Sequence, residues 1–209
     1  MLGGAALVGG DRLLAFSFDD EALARAMAQG AGPFTAADVA LLDEIAETIL
    51  PETSTPGAKA ARTGAFMALM VTDVYTDPNQ QVFRDGMRSV DEACRRAHGT
   101  AFMQAAPAER LAVVEALDRE QKQVMDARVP APSNRVPAPS ALAQENSSEL
   151  LRIEPEPAHY FRMMKELALL GYFTSEIGCT KAMRYIESPG RFDPCAPHKP
   201  GDRSWAGHA

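Results

Sequence analysis

The chain has 209 residues, 36 of them alanine, with 7% aromatic residues and a formal charge of −7. That length supports one domain with appendages, and about 60 larger apolar side chains suffice for one core. An alanine-rich, aromatic-poor composition favours packed helices over a β-sandwich. A pI near 5.1 argues against sequence-independent nucleic-acid binding, no apolar run reaches the ~18–20 residues of a bilayer span, and three cysteines cannot ligate a four-thiolate cluster.

Residues 1–33 open with Met1-Leu2-Gly3-Gly4-Ala5-Ala6-Leu7-Val8-Gly9-Gly10. This stretch reads either as the apolar middle of a secretory signal whose basic front is missing, or as a frayed N-terminal arm. The first clear helix starts after Phe34, with Thr35 suited to the N-cap and Asp38 to the first turn. Phe34 and Val39 occupy the positions of a hydrophobic staple. Val39, Leu42, Ile45, Ala46 and Ile49 recur at helical spacing, and Pro51 closes the helix before a turn-rich loop to Gly57. No Lys or Arg occurs between Ala26 and Gly57, while Asp38, Asp43, Glu44, Glu47 and Glu52 all fall there. The run is either an acidic surface for a cationic partner or a solvated helix face.

Three further helices are expected. Ala58–Tyr75 presents Phe66, Leu69, Met70 and Val74, and ends at Asp77-Pro78. Asn79–His98 presents Phe83, Met87, Val90 and Cys94, with Gly99 in the C-cap position. Pro107–Asp126 presents Leu111, Val114, Leu117 and Val124 or Met125. Residues 127–157 then hold six prolines and the near-repeat Val129-Pro-Ala-Pro-Ser and Val136-Pro-Ala-Pro-Ser. Proline removes donors and fixes φ, so this is an excursion, either a plain disordered loop or a segment that lies on a partner. A last helix follows Pro157, with Tyr160, Met164, Leu167, Ala168 and Leu170 on its apolar face. The polar tail 196–209 has no helical period.

Chemistry is sparse. His98, His159, His198 and His208 show no metal-ligand spacing, and no nucleotide-binding glycine pattern or nucleophile elbow is present. Cys94 reads as core. Cys179 and Cys195 are bonded to each other if the chain is exported, or are plain thiols; Cys179 as a nucleophile would need a nearby cation, with Lys181 and His198 close in sequence. Glu176 is either a general base or a turn cap accepting backbone N–H bonds. Gly171 ends an apolar helical run, where a positive φ is easily accommodated. Tyr172 and Phe173 are adjacent, so on a regular element they cannot both face one core; one is left for a partner.

The stretch Gly171-Tyr172-Phe173-Thr174-Ser175-Glu176-Ile177-Gly178, followed by Ala182-Met183-Arg184-Tyr185 and Pro189-Gly190-Arg191-Phe192-Asp193-Pro194-Cys195, resembles the gluconate 2-dehydrogenase subunit 3 family. Ile45-Ala46-Glu47-Thr48-Ile49-Leu50-Pro51 and Thr55-Pro56-Gly57-Ala58 are similar to that family's opening helix and loop. The likeness spans 34–195. It fits the mostly α, single helical domain, with a long Pro-rich excursion and an irregular C-terminal segment, that the helical spacing in five segments predicts. It also implies a non-catalytic small subunit, with no cofactor of its own, of a periplasmic FAD-dependent dehydrogenase of the glucose-methanol-choline type. The large flavoprotein subunit would carry FAD, and in similar systems an iron–sulfur cluster. It would be escorted through twin-arginine export and pass electrons to a cytochrome c. The interface residues expected on this basis are Gly171, Tyr172, Phe173, Thr174, Glu176, Tyr185, Pro189, Gly190, Arg191 and Phe192. The competing classes are a free-standing enzyme using Glu176 or Cys179, and a helical adaptor unrelated to redox chemistry.

Overall fold

The computed structural model describes residues 34–128, 156–188, 190, 195, 197 and 199–206. Its order is α1 (Ala36–Ile49), α2 (Thr63–Val74), α3 (Asp77–His98), a 3-10 turn (Phe102–Gln104), α4 (Pro107–Arg128), α5 (Tyr160–Phe173) and a π-helical turn (Gly178–Ala182). Among the described residues there are no strands, and the fold is mostly helical as expected. The N-terminal arm, residues 129–155 of the excursion, and Pro189, Arg191, Phe192, His198 and His208 lie outside the described residues.

Local chemistry starts and stops these helices. Thr35 Oγ1 accepts from Asp38 N at 3.2 Å while Asp38 Oδ2 accepts from Thr35 N at 2.8 Å, a reciprocal capping box. Gly99 closes α3 at φ 77°, where a side chain would be strained. His159 caps α5 by accepting from Phe161 N through Nδ1 at 3.2 Å. Burial holds its imidazole below the ordinary 6.5, against the opposing pull of Glu120.

The core runs from Phe34 through Leu42, Ile45, Met67, Val71, Phe83, Val90, Phe102, Val114, Leu117, Phe161 and Met164 to Tyr172. Helix α5 touches all four other helices and is the central element. Phe34 meets Phe83 edge-on at 6.2 Å, and Tyr75 meets the same ring at 6.4 Å. Cys94 is buried in the core as expected.

Three expectations fail on packing. Helix α2 starts at Thr63, not Ala58, and buries Gly64, Ala65, Met67, Ala68 and Val71, whereas Val74 is exposed. It is apolar nearly all round, so periodicity does not choose a face; its small residues do, because they let α2 approach α1 closely. A Cβ at Gly64 would fall 2.5 Å from Asp43 N. Asp77-Pro78 opens α3 rather than ending α2, with Pro78 in the first turn, where its missing N–H costs nothing. On α4 and α5, Leu111 and Leu170 face outward, and Val113, Phe161 and Met163 take the buried positions.

Three acids of the run, Asp43, Glu44 and Glu47, form neither a solvated face nor an open acidic surface, whereas Glu52 is exposed. Asp43 is buried and accepts from Gly64 N at 2.7 Å. Burial raises its pKa, a shift that this bond opposes. Glu44 pairs with Lys59 at 2.6 Å and with Arg110, whose guanidinium also donates to the Phe102 and Met103 carbonyls. Glu47 accepts from the amides of Glu52 and Lys59, each at 2.8 Å. These carboxylates are internal clamps, which is why no cation was needed beside them in sequence.

The excursion begins later than composition suggested. Ala127 and Arg128 belong to α4, and Arg128 Nη1 donates to the Pro157 carbonyl at 2.8 Å. Its Nη2 meets Glu156 at 3.1 Å. One guanidinium therefore clasps the two ends of the Pro-rich segment.

Candidate partner interface

The segment singled out in sequence is built on the C-terminal end of α5. Tyr172 is buried, and its hydroxyl donates to the Pro56 carbonyl at 2.6 Å. That bond ties the end of α5 to the 50–58 loop, which Glu47 holds from the other side. Phe173, the next residue, is 37% exposed and stands edge-on to Tyr172 at 5.1 Å. The two aromatics thus divide between core and surface, and Phe173 is the outward one.

Gly171 does not end the helix and has no positive φ. It lies inside α5 against Phe66, where a Cβ would come 2.5 Å from the ring, so it serves close packing. After Phe173 the chain turns on Ser175. Its Oγ donates to the Tyr172 carbonyl at 2.7 Å and accepts from Gly178 N at 3.0 Å. The capping role expected of Glu176 thus belongs to Ser175, and Glu176 is exposed. Thr174 is also exposed, with its hydroxyl bonded to the Leu170 carbonyl at 2.7 Å.

The π-helical turn then places Cys179 inward, its Sγ 3.3 Å from the Phe173 carbonyl. Burial pushes this thiol's pKa up, the opposite of what a nucleophile needs. Cys179 is not bonded to Cys195: the first is buried and the second is exposed. Among the described residues no group of three His, Cys, Asp or Glu side chains converges as a metal site.

The tail folds back onto this end. Arg184 N donates to the Ser204 carbonyl at 2.9 Å, and Ala206 N donates to the Arg184 carbonyl at 2.8 Å. The Arg184 guanidinium stacks over the Trp205 ring, 4.5 Å from its centre. Trp205, Tyr185 and Ile186 remain 52%, 44% and 48% exposed. With Leu170 and Phe173, they are five of the eight exposed large apolar side chains among the described residues, all carried by α5 and the segments that follow it. Gly190, at φ 68°, is also exposed.

Sequence reasoning missed Leu170, Ile186 and Trp205. A lone tryptophan in an otherwise polar tail was the available signal. Its partner, Arg184, lies 21 positions away, and only folding joins them.

A helical domain with an exposed aromatic end has the build of a protein that supports another. The chain belongs to the gluconate 2-dehydrogenase subunit 3 family, which it matches over residues 36–190. That makes it an accessory subunit of a dehydrogenase complex. The family match includes the 50–58 loop and the 171–188 segment, the two parts joined by the Tyr172–Pro56 bond. No curated protein and no solved structure matches the chain.

Proposed function

We propose that this chain is the non-catalytic small subunit of a periplasmic, FAD-dependent sugar dehydrogenase of the glucose-methanol-choline type. In this reading it stabilises the large flavoprotein subunit and escorts it through twin-arginine export. The flavin, and any iron–sulfur cluster, belong to that partner, which passes its electrons to a cytochrome c.

The observation that carries the reading is the exposed aromatic Phe173 on a rigid seat. A backbone fixed by α5, by the Ser175 turn and by the Tyr172 hydroxyl loses little entropy when a partner closes over it. Leu170 lies one helical turn before Phe173, on the same face. Tyr185, Ile186 and Trp205 add exposed apolar side chains on the segments after α5, with the Arg184 cation stacked on Trp205. Aromatic side chains and arginine are the residue types in which interfaces concentrate their energy.

The test is co-expression with a large flavoprotein subunit encoded beside this chain, followed by affinity measurement on the purified pair. Phe173→Ala is expected to weaken binding by about 2 kcal/mol, roughly 30-fold, with unchanged far-UV dichroism. Wild-type affinity in Phe173→Ala, and in Phe173→Ala combined with Trp205→Ala, would place the interface elsewhere. A wild-type chain that elutes apart from every such flavoprotein at micromolar concentration would sink the reading.

A further inference from the structure

Where the Tyr172 hydroxyl meets Pro56, an open recess of about 480 Å³ is lined by Ser54, Thr55 and Pro56 on one side and Thr180, Lys181 and Arg203 on the other. Its walls hold two cations and three hydroxyl groups, and no carboxylate. We infer that this recess is a socket for an aspartate or glutamate side chain of the dehydrogenase partner, an inference that rests on the accessory-subunit reading above.

The charge distribution argues for it. Most cations described on the helices are held in ion pairs, Arg84 and Lys122 excepted. Lys59 and Arg110 hold Glu44, and Arg95 holds Asp91. Lys165 holds Asp118, Arg162 holds Glu166, and Arg128 holds Glu156. Lys181 and Arg203 form no ion pair among the described residues; Arg203 Nη1 spends one donor on the Lys181 carbonyl and keeps the rest of its fork. Arg184, next to them, has a buried Nε with no hydrogen-bond partner. Two cations thus line one recess with no carboxylate in its walls, in a chain of net charge −7.

The recess is also built rather than incidental. The Tyr172 hydroxyl pins Pro56, one wall residue, and the Thr180 hydroxyl is bonded to the Glu176 carbonyl at 2.7 Å. Arg203 ties the tail to the π-helical turn. Both walls are therefore fixed to the element that presents Phe173.

A side chain suits this recess better than a free ion. The recess is open, so water and salt screen Lys181 and Arg203, and a small anion gains little from them. A carboxylate carried on a surface already anchored at Phe173 arrives at high effective concentration. Closure of the interface then removes the screening, and complementary charge fixes the register of docking.

The test uses the co-expressed complex. Lys181→Glu is expected to weaken binding at least tenfold, and Lys181→Arg to stay within threefold of wild type. Raising salt from 50 to 500 mM is expected to weaken the wild-type complex more than the Lys181→Glu complex. Lys181 variants carry the test because Arg203 also holds the tail. Wild-type affinity and salt response in Lys181→Glu, with Phe173→Ala still impaired, would overturn the socket while leaving the accessory-subunit reading in place. Saturable binding of inorganic phosphate by the isolated chain below 1 mM, lost in Lys181→Glu with the complex unaffected, would also overturn it. Failure of the wild-type chain to bind any large subunit would remove the reading and the socket together.

Discussion

Replacing Glu47 by alanine removes the clamp of the 50–58 loop. Its two carboxylate oxygens accept separately from Glu52 N and Lys59 N, both at 2.8 Å, so each end of the loop hangs on one oxygen. A hydrogen bond to a charged group contributes about 1.5–3 kcal/mol when shielded. Here both donor residues are exposed and water replaces part of the loss, so about 1 kcal/mol per bond is the reasoned figure. The total of about 2 kcal/mol corresponds to a melting temperature about 4–8 °C lower for a chain of this size. Glu47→Gln keeps one acceptor but turns an NH2 group toward the second amide, so it is expected to recover no more than half the loss. Thermal unfolding followed by circular dichroism gives the first number. Hydrogen exchange at the Glu52 and Lys59 amides gives the second, with protection falling at both. A melting temperature within 1 °C of wild type, together with unchanged protection, would refute the clamp. The consequence reaches the candidate interface, because the same loop carries the Pro56 carbonyl that seats Tyr172.

Gly178→Ala puts a Cβ 1.9 Å from the Tyr172 carbonyl oxygen, so backbone must move; a loss of about 1–3 kcal/mol is expected in chemical denaturation, and an unchanged midpoint would contradict it. His159 has a folded pKa below 6.5, so the stability tied to its neutral form is full above that value and is lost as pH falls through the folded pKa. Wild type should therefore lose stability on going from pH 7 to pH 5 more steeply than His159→Asn, which keeps a cap acceptor without titrating; parallel pH profiles would count against this. Because Arg128 clasps both ends of the excursion, replacing residues 129–155 by six Gly and Ser residues should leave cooperative melting intact and add about 1 kcal/mol from shorter loop closure. Loss of a cooperative transition on calorimetry would show that the segment supports the fold.

What the sequence determined by itself is local. The Thr35–Asp38 cap, the Gly99 stop, the buried face of α3, and the helical class all follow from residues three or four positions apart, where backbone geometry alone decides who meets whom. The divergence of Tyr172 and Phe173 was legible for the same reason, since neighbours on a helix point about 100° apart. Tertiary structure decided what depends on residues far apart in the chain. Helix α2 is apolar nearly all round, so contact with α1 and α5 chose Gly64, Met67, Ala68 and Val71 as its buried face. The acids Asp43, Glu44 and Glu47 look like surface charge in sequence; they became clamps when folding brought up Gly64, Lys59 and Arg110, up to 66 positions away. Likewise Trp205 is an isolated residue of a polar tail until the tail returns to Arg184, and Lys181 and Arg203 share a recess only because the chain between them folds back. Spacing along a chain sets direction within an element, but which carboxylate meets which cation is set by the packing of elements, and this protein's exposed end is assembled in that second way.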